Sequence, residues 1–190
     1  MEAVNQQEII VKRKSLEALM WLGIASIIML FAGLTSAYVV RKGEGNWMVF
    51  DLPYFFYVST ALILFSSICM NWALSSIKKD EKDTLVKAIS LTLLIGIGFF
   101  LSQFLAYRFL VEQGIYFAGK NAAGSYLYVI SGVHLAHMCG GILALIFILI
   151  KALLKKYSAD NYHGIYLLSI YWHFLGILWL FLFLFLIFFR

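Results

Sequence analysis

Residues 164–189 read GIYLLSIYWHFLGILWLFLFLFLIFF, a run of 26 residues without a lysine, arginine, aspartate or glutamate. A helix rises about 1.5 Å per residue, so such a run is long enough to cross the roughly 30 Å hydrocarbon core of a bilayer. Four further runs share this character, at about 16–40, 53–77, 85–111 and 125–150, and the five together occupy about two thirds of the 190 residues. Membrane barrel strands would instead show segments of about ten residues with alternating polarity. The expected fold is all-α: a polytopic membrane bundle of five transmembrane helices, with a tail over 1–15 and a single membrane domain over 16–190.

Composition agrees. Apolar residues make up 63% of the chain, against about 45–50% in soluble domains. Charged residues are 13%, about half the usual share. A soluble domain of this size cannot hide so much apolar surface, and a disordered chain would have far less of it. The connections near 41–52, 78–84, 112–124 and 151–163 are too short to fold as soluble domains. Function must therefore sit within the bundle, or in how the bundle meets other chains. Cys69 and Cys139 both lie in apolar runs and offer neither a disulfide framework nor a zinc spacing.

The net charge of +5 does not point to nucleic acid, because the basic residues are distributed by side. Ten fall on one side: Lys12, Arg13, Lys14, Lys78, Lys79, Lys82, Lys87, Lys151, Lys155 and Lys156. Five fall on the other: Arg41, Lys42, Arg108, Lys120 and Arg190. The positive-inside rule then puts the N-terminus inside and the C-terminus outside. Thr35-Ser36-Ala37 imitates a small-residue cleavage site, but the apolar run before it exceeds a signal-peptide core of about 7–15 residues.

Polar residues at membrane depth are costly unless paired, so they are the informative ones. All ten acidic residues lie in the tail, in connections or at span edges, which disfavours a proton or cation pathway through this chain. Three histidines lie deep. His134 and His137, three residues apart on one helix face, sit about 14 and 18 Å from the outer end of the fourth run, by the rise per residue. His173 sits about 14 Å from the inner end of the fifth, and Gln103 about 12 Å from the outer face, with Tyr107 one turn on.

Two readings of these groups stand side by side. A metal can be held by two histidines at this spacing with a ligand from another helix, and a haem can be sandwiched by His137 and His173. Alternatively the groups join helices through hydrogen bonds. Gly132, Ala136 and Gly140 line one face of the fourth run, as Gly96 and Gly98 thin the third, a pattern that lets helices approach closely. Arg108 can snorkel to the outer surface or hold a lipid phosphate.

Particular segments go further than the pattern. Ser131-Gly132-Val133-His134-Leu135-Ala136-His137 resembles the small-Gly-x-His-x-x-His segment of haem-copper oxidase subunit III, the cytochrome c oxidase subunit III family. Tyr171-Trp172-His173-Phe174, followed by Trp179-Leu180-Phe181-Leu182, is similar to that family's terminal-helix signature. Ser102-Gln103 with Tyr107 and the step Gly114-Ile115-Tyr116 resemble the family's third of these spans and its outer loop, and Thr35-Ser36-Ala37-Tyr38-Val39-Val40-Arg41 is similar to the end of the first span in short bacterial members. Two carboxylates common in the family are missing: Ala25-Ser26-Ile27-Ile28 holds no glutamate, and Gly176 stands where the terminal helix usually has an aspartate.

The resemblance implies the five-helix form of a family whose longer members have seven. It implies an accessory, non-redox subunit of a proton-pumping terminal oxidase of aerobic respiratory electron transport, in a bacterial inner membrane. The complex reduces oxygen to water with electrons from cytochrome c or quinol. No catalytic residue and no cofactor is expected in this chain, haem and copper residing in partner subunits, while bound phospholipid is expected. The implied partners are oxidase subunits I and II, membrane lipids and, as a further association, a respiratory supercomplex. His134, His137, His173, Gln103, Tyr107, Arg108 and Trp172 would be structural and lipid-adjacent. The competing readings are an auxiliary subunit of nitric oxide reductase, from the same superfamily, and a bis-histidine membrane cytochrome b.

The missing carboxylates give a direct test. Carbodiimides that attack buried carboxyl groups should leave all five spans unlabelled. A label mapped to Glu17 or Glu112, the acids nearest the spans, by peptide mass spectrometry would contradict this placement of the span edges.

Overall fold

The computed structural model describes residues 2–45, 47–118, 122–159 and 161–189. It contains five helices: α1 (Glu2–Gly43), α2 (Tyr54–Lys78), α3 (Lys82–Glu112), α4 (Ala122–Leu153) and α5 (His163–Phe188). All five are long and apolar enough to cross a membrane, so the chain is a multi-pass, all-α membrane protein. Lys120 and Arg190 of the charge count lie outside the described residues.

Helix ends fall close to the expected spans except at the start. α1 begins at Glu2 and runs 42 residues, so residues 2–15 of the expected tail continue the same helix. Nothing between Glu2 and Ser15 stops it, since the segment holds no glycine or proline.

The helices form a ring with one addition. α2 lies along α3, α3 along α4, α4 along α5, and α5 returns to α2, while α1 rests outside on α4 and α5. The tightest pair, α2 and α3, is joined by only three residues, Lys79 to Glu81. Asp80 takes a left-handed backbone there (φ 57°), a conformation that aspartate tolerates better than most residues.

Each helix buries a stripe stepped by three and four residues. On α5 the stripe is Ile165, Leu168, Trp172, Leu175, Trp179, Leu182 and Leu186. On α2 it is Phe56, Ser59, Ile63, Ser66, Met70, Ala73 and Ile77, whose small members admit large neighbours. α1 buries little more than Ile24, Phe31, Tyr38 and Thr35, as expected of a helix packed on one side only. Near its C-terminal end Tyr38 packs edge-on against Trp47 and Phe185, at 4.7 and 5.2 Å between ring centroids. Lys42 Nζ donates there to the Phe189 carbonyl at 2.9 Å, tying α1 to the end of α5.

Trp172 is the hub of the ring. Its indole is fully buried and sits against Gly96 of α3 and Gly141 of α4. A Cβ at Gly96 would lie 2.9 Å from the indole, and one at Gly141 would lie 3.2 Å from it. The small-residue face of α4 noted in the sequence works differently. Gly132 has nothing near it, Ala136 and Gly140 are exposed, and the close approach is made at Gly141 instead.

Gly96→Ala should therefore destabilise the bundle by about 1–3 kcal/mol, the usual cost of overpacking a full core. Gly132→Ala should be neutral or stabilising by up to about 1 kcal/mol, from helix propensity alone. Thermal unfolding in mild detergent compares the two, and equal effects would contradict the packing described.

Candidate functional site

Hydrocarbon supplies no hydrogen-bond partners, so every polar side chain at membrane depth must be matched from within the protein or left at a cost. The two buried indoles of α5 are matched by hydroxyls of α2. Trp172 Nε1 donates to Ser66 Oγ at 3.0 Å, and Ser66 in turn donates to the Thr92 carbonyl of α3 at 3.3 Å. Trp179 Nε1 donates to Thr60 Oγ1 at 3.0 Å, and Thr60 donates to the Phe56 carbonyl of its own helix at 2.8 Å. Each hydroxyl thus accepts from an indole and donates to a carbonyl, using both of its capacities.

The other polar residues form a second tier toward the C-terminal end of α3. Gln103 Nε2 donates to Ser59 Oγ at 2.8 Å, joining α3 to α2. Tyr107 donates to Ser131 Oγ at 2.9 Å, joining α3 to α4. Tyr128 donates to the Ile115 carbonyl at 2.9 Å, anchoring the connection after α3. Arg108 points outward and is exposed.

The three deep histidines have three different environments. His134 is fully buried among rings, 5.2 Å from Trp179, 6.0 Å from Phe99 and 6.3 Å from Phe31 between centroids. Neither of its ring nitrogens has a hydrogen-bond partner, so the interhelical bond expected of it does not form within the chain. His137 faces α1, against Phe31 at 5.9 Å, and its Nδ1 lies 2.8 Å from the Val133 carbonyl one turn back. His173 turns to the other side of α5 and pairs its Nε2 with Asn71 Oδ1 of α2 at 2.9 Å. His137 and His173 therefore do not face each other, and the haem sandwich is not formed. Among the described residues no group of three or more His, Cys, Asp or Glu side chains converges as a metal site.

Sequence reasoning singled out His173, Gln103, Trp172 and the Trp179 segment but not their partners Asn71, Ser59, Ser66 and Thr60. A signal was present. Trp172 and Trp179 are seven residues apart, and hydroxyl residues recur on α2 at nearly the same step.

Two hollows accompany this core. An apolar groove of about 670 Å³ runs between the C-terminal halves of α1 and α5, lined by Ile28, Phe31, Val39, Phe174, Ile177 and Phe181, among others. At the opposite end a pocket of about 820 Å³ gathers Lys12, Arg13, Lys151, Lys156, Tyr157 and His163, among others. Lys151 stands 4.3 Å from the centroid of the Phe147 ring. His163 Nδ1 lies 3.7 Å from Glu17, while its Nε2 is buried without a partner. Burial pushes the Tyr157 phenol up from its ordinary pKa, so it remains a neutral donor at physiological pH.

Comparison with known proteins converges on one family. Residues 47–190 match the family model for cytochrome c oxidase subunit III. The chain is 30% identical over 179 residues to a protein of Nocardia farcinica named "Probable cytochrome c oxidase subunit 3", across 89% of this chain and 84% of that one. It is 27% identical over 168 residues to cytochrome c oxidase subunit 3 of Bacillus sp. (strain PS3), across 86% and 80% of the two chains. It is 31% identical over 134 residues to the Myxine glutinosa subunit 3, across 70% of this chain and 49% of that longer one.

The unmatched imidazole makes a prediction. Leucine at position 134 removes a buried group without partners, worth about 1–3 kcal/mol. It also forfeits ring contacts worth about 0.5–1.5 kcal/mol. The polar term is the larger, so His134→Leu should leave thermal stability in mild detergent unchanged or raised. A drop in melting temperature that His134→Gln does not show would reveal a hydrogen-bonding partner for this ring.

Proposed function

The chain belongs to the cytochrome c oxidase subunit III family, and on that premise we propose that it is an accessory, non-redox subunit III of a proton-pumping terminal oxidase. In this reading it packs beside the catalytic subunits I and II of a bacterial inner-membrane complex, with its N-terminus inside and its C-terminus outside. The complex reduces oxygen to water, with haem and copper in those partners. Residues 16–190 act as one membrane domain behind the short tail. His134, His137, His173, Gln103, Tyr107, Arg108 and Trp172 are structural and lipid-adjacent, and none is catalytic.

The observation that carries this reading is where the family-like segments meet. Trp172 and Trp179 of the terminal helix interlock with the α4 segment that bears His134, so the most recognisable residues of the chain build its core. Their hydrogen-bonding capacity, where used, is spent on neighbouring helices or on their own backbone, as holds for Trp172, Trp179, Gln103, Tyr107, His137 and His173.

Phospholipid binding is the second part of the proposal. The apolar groove between α1 and α5 has the lining an acyl chain needs. The pocket of Lys12, Arg13, Lys151 and Lys156 has the charge that a phosphate needs, at the end of the bundle where headgroups lie.

A mild-detergent pull-down with optical spectra and identification of the bound chains tests the assignment. The expected result is a colourless isolated chain that co-purifies with a haem- and copper-bearing oxidase core. A stoichiometric haem spectrum from this chain alone, or capture of a copper-free nitric-oxide-reducing core, would overturn it. Phosphorus analysis of the same preparation tests the lipid part. Lys151→Gln combined with Lys156→Gln should lower tightly held phospholipid, and an unchanged lipid content would remove the pocket from the account.

A further inference from the structure

Among the described residues, a polar pair faces outward at membrane depth. Asn71 of α2 is exposed, and His173 of α5, which reaches it at 2.9 Å, is half-buried. Asn71 stands seven residues before the end of α2 and His173 ten after the start of α5, so the pair lies about 10–15 Å in from the inner ends of its helices. Ester carbonyls and headgroups do not reach that depth, and acyl chains offer no hydrogen bonds. Polar groups within the membrane almost always face protein or a water-filled cavity.

The bond between the two side chains does not exhaust them. With His173 Nε2 donating to Asn71 Oδ1, the imidazole Nδ1 remains as an acceptor and the Asn71 amide NH2 as a donor. The flanking surface is apolar, with Leu64, Ile68 and Ile177 exposed around the pair. The seam is also close-set, because Gly176 brings α5 near enough to α2 that a Cβ there would lie 3.3 Å from Ser67 Oγ. An apolar seam with a central donor and acceptor is the usual face for an opposing transmembrane helix.

We propose that the outward seam between α2 and α5, centred on Asn71 and His173, is where a transmembrane helix of another oxidase subunit docks. That helix carries a side chain able both to donate and to accept, a hydroxyl or a carboxamide. This assignment rests on the subunit III reading and names the face through which it is realised.

The test uses the whole oxidase in its native membrane. A photoactivatable benzoyl-phenylalanine is placed in the seam at Ile68 or Ile177, and for comparison at Leu94 of α3 or Leu143 of α4, which are equally exposed. The seam positions should give adducts between this chain and another oxidase subunit. Seam adducts with lipid only, with a second copy of this chain, or no protein adduct would overturn the assignment. Asn71→Leu and His173→Leu give an independent reading on unmodified surfaces. Each should weaken retention in the detergent-solubilised complex by about 3- to 30-fold, the equivalent of one interhelical hydrogen bond. Each change also removes the bond between the two side chains, so the isolated chain should melt slightly lower while staying folded. Retention unchanged by leucine, the result expected of a lipid-facing seam, would contradict the proposal. Should the chain fail to co-purify with an oxidase at all, the subunit reading itself falls. Should it co-purify while the seam gives no protein adduct, only the face is wrong.

Discussion

An indole buried at membrane depth needs both space and a hydrogen-bond acceptor, and hydrocarbon supplies only the first. Trp172 satisfies both needs with three helices at once. Ser66 of α2 accepts its N–H, and Gly96 of α3 and Gly141 of α4 leave room for its ring. Trp179 repeats the arrangement two turns on, with Thr60 as acceptor and Phe56, Phe99 and His134 as walls. Lipid tails are as apolar as leucine, so burial alone does not drive membrane helices together. Packing of this kind, with matched polar groups, is what closes the ring of α2, α3, α4 and α5. The single stripe of α1 then rests on the α4–α5 edge that the ring creates.

Much of this was legible from the residues. Five uninterrupted apolar runs specified five helices, because length and charge content decide membrane crossing almost alone. The start of α1 was not legible, since hydropathy marks where a membrane begins and not where a helix does. The partners of the site residues were also hidden. Ser59, Thr60 and Ser66 look like ordinary hydroxyls in an apolar run until α2 is placed against α5. The stripe of Gly132, Ala136 and Gly140 misled for a related reason. Small residues report that a close approach is possible, but the neighbouring helix decides which of them is used, and it uses Gly141. His134 is the clearest divergence: an expected hydrogen bonder whose nitrogens have no hydrogen-bond partner.

The absence of deep carboxylates and the surroundings of the histidines belong together. Among the described residues, His134, His137 and His173 have no carboxylate partner. What remains are neutral hydrogen bonds between helices, an apolar groove and a basic pocket at one end. Such a set suits holding the helices of a membrane subunit in place.

The central claim is that the terminal-helix indoles hold the bundle through α2. A double-mutant cycle on Trp172 and Ser66 measures it most directly, with Trp172→Phe, Ser66→Ala and their combination compared by thermal unfolding in mild detergent. Each single change should destabilise the bundle. The pair should cost less than the two added together, with a coupling of about 0.6–2 kcal/mol. Strictly additive losses would contradict the account, because they would mean that the indole and the hydroxyl do not depend on each other.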